Sequence, residues 1–213
     1  MRVIQILPQL NIGGVERGTL DLSKALIEQG HESFVISGGG ILVDELIRSG
    51  AKHYEIPVHI KSLRTLYLAK SLSKKISSID PDIVHVRSRM PAWVNYRAFK
   101  MLQKKPLLIS TFHGLYSFPI YSKVMSFVDH SIAISKTVER YILENYKLDK
   151  DDITVIPRGC DPIEFNNDVI NPVDKANIIE EFPQIVGKKI LTIPGRITKW
   201  KGVAEFIELL SLL

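Results

Sequence analysis

A single cysteine, Cys160, occurs in the 213 residues. An internal disulfide is therefore impossible, and the composition points to a reducing compartment. No apolar run approaches the roughly 18 to 20 residues that a membrane-spanning helix needs. The chain opens Met-Arg-Val-Ile-Gln-Ile-Leu-Pro, a strand that begins at once, where a secretory leader would place a charged stretch and then an apolar one. Metal-site spacing is missing, with no Cys pair and no His pair at ligand separation. Also absent are the G-x-S-x-G turn of a serine nucleophile and the Walker pattern of a nucleoside triphosphatase. Internal repeats and low-complexity tracts are missing as well. The expectation is a cytoplasmic protein that uses no metal.

What is present suits an ordinary globular protein of one or two domains. Hydrophobic residues make up 45% and charged residues 24%, enough apolar surface for a sizeable core. The net charge of +5 is modestly basic. It fits phosphorylated ligands or an anionic membrane surface and falls short of a nucleic-acid footprint, so no nucleic-acid partner is expected.

Short apolar runs alternate with helical patterns, the mark of a parallel sheet with crossover helices. Strands are predicted at Arg2–Leu7, Glu32–Ser37, His53–Ile56, Asp82–Val86, Leu107–Thr111, His130–Ile134 and Ile153–Ile156. Most are continuously apolar, as strands buried on both faces are. Helices are predicted at Val15–Gln29, Ile41–Ser49, Ser62–Ile79, Ala92–Lys104, Pro119–Phe127 and Lys136–Tyr146, the first two closed by Gly30 and Gly50. The fold class is α/β: a doubly wound, mainly parallel, Rossmann-like sheet over residues 1–165. Residues 166–187 read as a linker with one short helix near Lys175–Glu181, and a strand over Lys189–Ile193 opens a second unit at 188–213.

Two glycine-rich turns stand between a strand and a helix: Asn11-Ile-Gly-Gly-Val-Glu-Arg-Gly18, and Pro194-Gly195 followed by Arg196 and Lys201. Each suits a phosphate, through backbone N–H groups at a helix start and, in the second, through cations. Gly13 and Gly14 alternatively do no more than allow a tight turn, and Glu16 then merely caps the helix. A dinucleotide cofactor is not expected, because G-x-G-x-x-G is absent and the second strand ends on Ser37-Gly38 in place of an acid. His113 follows the predicted strand Leu107–Thr111, where open α/β sheets bind their ligands. It is the candidate catalytic residue, or else a histidine hydrogen-bonded into its loop. Arg87, Arg89 and Arg97 cluster after the strand ending at Val86, as a phosphate or carboxylate site or as solvated charge. The helix Ser62–Ile79 sets Leu66, Leu68, Leu72, Ile76 and Ile79 opposite Arg64, Lys70, Lys74 and Lys75. That face is either plainly solvated or a contact with anionic lipid.

Taken in order, these segments resemble retaining glycosyltransferases of family 4, built as two facing Rossmann-like domains (GT-B). The resemblance runs through Gly13-Gly14-x-Glu16, Glu28-Gln-Gly-His-Glu32, Pro81-Asp-Ile-Val-His85, Thr111-Phe-His-Gly114, Ile132-Ala-Ile-Ser135, Val155-Ile-Pro-Arg-Gly-Cys-Asp161 and Gly195-Arg196 with Lys201-Gly202. The stretch Arg87-Ser-Arg-Met-Pro-Ala-Trp93 is similar to bacterial members that build lipopolysaccharide and other envelope glycans. The resemblance implies an acceptor-binding N-terminal domain and a C-terminal domain for a nucleotide-sugar donor, with no cofactor. Gly13 and Gly14 approach the donor phosphate, Arg196 and Lys201 hold it, and His113 orients the transferred sugar. Glu16, Arg87 and Arg89 are left as possible acceptor contacts, with a glycan or a lipid-linked acceptor and peripheral contact at the inner face of the cytoplasmic membrane.

Two departures stand out. Arg158 and Cys160 replace the Asn and Val of the family's Pro-Asn-Gly-Val-Asp linker, and its Glu-x7-Glu donor segment is expected beyond Leu213. The chain is thus expected to be truncated, inactive alone, and completed by a chain supplying the rest of the donor domain. Two other readings stay open: a non-enzymatic acceptor-binding module, and a GT-B epimerase or phosphorylase.

Overall fold

The computed structural model describes residues 1–60, 65–116, 119–163, 166, 171–195, 197–198 and 201–212. The chain divides into two compact units, Met1–Gly159 and Cys160–Leu213.

In the first unit the chain alternates strand and helix. Its strands are β1 (Arg2–Ile6), β2 (Glu32–Ser37), β3 (Lys52–Glu55), β4 (Ile83–Val86), β5 (Leu107–Phe112), β6 (His130–Ala133) and β7 (Ile153–Val155). Between them lie α1 (Gly14–Glu28), α2 (Val43–Arg48), α3 (Thr65–Ile79), α4 (Arg89–Phe99), α5 (Pro119–Ser122) with a 3-10 turn over Lys123–Ser126, and α6 (Lys136–Asn145). The seven strands form one sheet in the order β3-β2-β1-β4-β5-β6-β7, every pair parallel. This is the doubly wound sheet expected. The chain winds outward from β1 to β3, then returns to lay β4 against the other side of β1, with Gln5 beside His85. The winding thus reverses between β1 and β4, and open α/β sheets place their ligands beyond the carboxyl ends of the strands at such a point.

Alternation along β2 shows how the two faces are covered. Phe34 and Ile36 join a large core with Leu72 and Ile76 of α3 and Val94 and Ala98 of α4. Val35, pointing the other way, packs with Leu20 and Leu46 from α1 and α2. Fully buried side chains such as Ile4, Ile36 and Leu72 each contribute about 1.5–3 kcal/mol relative to exposure. Gly30 and Gly50 have φ of 75° and 94°, the left-handed conformation that ends α1 and follows α2 at little cost for glycine.

Element boundaries moved for local reasons. Ser88 takes an extended conformation as N-cap, so α4 starts at Arg89 with Pro91 in its first turn, where a missing N–H costs nothing. The helix predicted over Pro119–Phe127 divides into α5 and the 3-10 turn. The predicted start of α3 at Ser62, with Arg64, lies outside the described residues.

The second unit contains α7 (Pro172–Glu181), a 3-10 turn over Pro183–Ile185, and α8 (Val203–Leu210). Asn171 caps α7 by accepting from the Val173 N–H at 2.9 Å. The strand predicted at Lys189–Ile193 does not form; Ile190 and Leu191 are exposed. A strand needs a neighbour for its backbone groups, and no strand occurs among the described residues of this unit. None of those residues is buried.

Candidate functional site

A polar network is built into the middle of the parallel sheet. Gln5, between Ile4 and Ile6 in β1, is fully buried. Its Nε2 donates to the Thr19 carbonyl at 3.1 Å and to Ser23 Oγ at 2.9 Å, both on α1, and Ser23 Oγ also meets Ser33 Oγ at 3.0 Å. The remaining Gln5 oxygen accepts from Arg87 Nη1 at 2.8 Å. Arg87 is the first residue after β4, so the switch point of the sheet carries a buried guanidinium. Only 7% of Arg87 is exposed, and its Nε has no partner among the described residues. Burial, and secondarily Arg158, lower its pKa to about 10, against the opposing pull of Asp21 and Glu16. It remains a cation at neutral pH.

Two histidines and a second arginine adjoin it. His85 Nε2 pairs with Thr111 Oγ1 at 2.7 Å across β4 and β5. Burial first, then Arg87 and His113, hold the His85 imidazole neutral. His113 follows β5; its Nδ1 accepts from Arg158 Nη2 at 2.9 Å, while its Nε2 is buried without a partner among the described residues. Burial, reinforced by Arg87 and Arg158, pushes its pKa down to about 3. Arg158 also donates from Nη1 to the Gly14 carbonyl at the start of α1. A Cβ on Gly14 would lie 2.8 Å from that Nη1, and one on Gly18 would meet Arg87 Nη2 at 3.3 Å and Arg158 Nη1 at 3.7 Å. The glycines of α1 therefore admit two guanidinium groups to one spot. Neither arginine forms an ion pair with a carboxylate among the described residues.

The sequence profile of Glycosyltransferase Family 4 matches residues 12–164. The chain belongs to glycosyltransferase family 4. A glycosyltransferase from Rickettsia africae ESF-5 superposes with a TM-score of 0.81 at 35% identity, over 99% of this chain and 57% of that one. A subunit of the Homo sapiens phosphatidylinositol N-acetylglucosaminyltransferase is 25% identical over 203 residues, 88% of this chain and 42% of its own length. Anabaena HepE in complex with UDP-glucose shares the fold with a TM-score of 0.80 at 15% identity, covering 100% of this chain and 57% of that one. The chain thus spans about half the length of these proteins.

Within this family 4 chain, the structure brings together Gly13, Gly14, Arg87 and His113 at one end of the sheet. Glu16 lies in the first turn of α1 with its carboxylate folded over Gly13. Arg89 is engaged elsewhere: its guanidinium sits 4.8 Å from the Tyr116 ring centre and 5.5 Å from that of Tyr121, with Nη1 3.4 Å from Ser122 Oγ. Arg97 is exposed in the last turn of α4. Arg196 lies outside the described residues, and Lys201 is an exposed residue of the second unit, just before α8. Two members of the cluster were not among the expected site residues. Gln5 was signalled only by being polar between Ile4 and Ile6. Arg158 was signalled by a cation where the family places Asn.

Proposed function

We propose that the chain is the acceptor-side part of a glycosyltransferase that moves a sugar from a nucleotide-sugar donor to a glycan or lipid-linked acceptor with retention of configuration. The observation that carries this reading is the convergence of Arg87, Arg158 and His113 on the start of α1, with no carboxylate paired to either arginine among the described residues. Such a cluster is suited to an anionic ligand whose charge grows as a nucleoside diphosphate departs. Gly13 and Gly14 let the diphosphate approach the helix terminus. His113 contacts and orients the sugar. By the family resemblance Arg196 and Lys201 are donor-phosphate cations, and the transfer needs no divalent metal.

A phosphate-bearing lipid acceptor fits the same cluster, with Arg87 and Glu16 as its contacts, and the human relative's name specifies a phosphatidylinositol. The same name makes that relative one component of an assembly, and on that pattern this chain too works with a protein partner. Acceptors of this kind place the protein at the inner face of the cytoplasmic membrane. No helix among the described residues is long and apolar enough to cross one.

Calorimetric titration of the chain with inorganic diphosphate and with UDP tests the cluster directly. Binding is expected to weaken with added salt and to disappear in Arg87→Gln. Transfer is then assayed with a panel of nucleotide sugars. His113→Ala should lower turnover far more than it lowers melting temperature. Undiminished transfer in that variant would return His113 to a structural role.

A further inference from the structure

We propose that Arg158 locks His113 in the tautomer that carries its proton on Nε2, so that the ring serves as a neutral hydrogen-bond donor to a ligand oxygen. The argument starts from the chemistry of the two groups. A guanidinium has only N–H donors and no acceptor. The 2.9 Å contact between Arg158 Nη2 and His113 Nδ1 is therefore a hydrogen bond only if Nδ1 holds its lone pair. In a neutral ring the proton then sits on Nε2. A doubly protonated ring would set N–H against N–H at that contact.

The guanidinium is itself fixed, because Nη1 donates to the Gly14 carbonyl. One arm of the fork is thus held by a backbone carbonyl, and the other holds the imidazole. The groups that face His113 are cationic or neutral: Arg87 and Arg158, His85, and Tyr116, whose hydroxyl lies 3.5 Å from the His113 backbone nitrogen. The burial and positive surroundings that push the ring's pKa to about 3 agree with a ring that stays neutral. Nε2 is buried and has no partner among the described residues, so its N–H is the hydrogen bond the ring has left to make. A sugar hydroxyl or ring oxygen supplies the acceptor it lacks. With Nδ1 occupied and Nε2 already protonated, the ring is neither a general base nor, near neutral pH, a general acid. Arg158 is then a positioning residue, acting through His113.

This inference deepens the proposed glycosyl transfer but is tested without any sugar. Nitrogen NMR of histidine-labelled chain reads the protonation of each ring nitrogen, and the His113 signals are identified by their loss in His113→Gln. The wild-type spectrum should show a protonated Nε2 and an unprotonated, hydrogen-bonded Nδ1, unchanged between pH 8 and pH 5. In Arg158→Met the Nδ1 signal should move away from its hydrogen-bonded position. A protonated Nδ1 in the wild-type chain would overturn the proposal before any variant is made. An Nδ1 signal in Arg158→Met identical to wild type would overturn the part given to Arg158. Loss of the transferase reading with this tautomer intact would leave the clamp standing, so the two failures are distinguishable.

Discussion

Arg87 and Gln5 lie 82 residues apart in sequence, yet the Arg87 Nη1 donates to Gln5 Oε1 at 2.8 Å, and both side chains are buried. The same Gln5 amide anchors α1 through Thr19 and Ser23. One side chain therefore ties the cation of the site to the helix that carries the glycines. Gln5→Leu keeps the volume and removes every one of these bonds. The loss should destabilise the chain by about 2–4 kcal/mol, since a buried guanidinium and a buried hydroxyl lose partners. Urea unfolding measures it. Adding Arg87→Met to Gln5→Leu should cost less than the sum of the two single changes, because the stranded charge is gone.

Stability should depend on pH through His113. Its folded pKa of about 3 lies below the ordinary 6.5, so between those values the unfolded chain binds a proton that the folded chain refuses. Stability is fully present above about pH 6.5 and falls as pH drops toward 3. His85, shifted in the same direction, adds to the slope. His113→Gln should flatten the decline by up to about 1.4 kcal/mol per pH unit, one proton's worth. Urea titrations at a series of pH values read this. An unchanged slope would mean that the ring ionises freely in the folded chain.

Gly14→Ala separates site geometry from stability. Gly14 is not among the glycines with positive φ, so alanine fits its backbone and suits a helix. Its Cβ, however, would fall 2.8 Å from Arg158 Nη1 and displace the fork. The expected result is a stability change within about 0.5 kcal/mol and roughly tenfold weaker diphosphate binding. Thermal melts and calorimetry together provide the check.

The basic face of α3 makes a separate prediction. Lys70 and Lys74 are exposed, whereas Lys75 sits 3.9 Å over the Tyr54 ring. If the exposed pair meets anionic lipid, the chain should sediment with anionic vesicles and lose that association steeply as salt rises. Lys70→Gln with Lys74→Gln should weaken it. Equal sedimentation with neutral vesicles would assign the face to solvent.

The sheet was legible because strands buried on both faces are written as continuous apolar runs, and each predicted strand of the first unit appears within a residue or two of its place. Helix ends were less so. Arg89 and Met90 carry no signal that they begin α4; the extended Ser88 decides it. Lys189–Ile193 has the composition of a strand and no neighbour to pair with among the described residues. The site was half legible. His113 and Arg87 follow strands, so topology alone places them beyond the carboxyl ends of β5 and β4. Arg158 comes from a loop that reaches back across 45 residues to His113 and 144 to Gly14. No periodicity encodes such a contact, and only the departure from the linker pattern marked it.

Cys160 is a free, exposed thiol and the first residue of the second unit, two positions after the arginine that holds His113. The native chain therefore carries its own attachment point for a reporter. A single nitroxide or fluorophore will couple there without any substitution and without a second thiol to compete. Whatever ligand loosens or tightens the Arg158 fork acts two peptide bonds from the label, so occupancy of the cluster can be followed as a change in the reporter's tumbling.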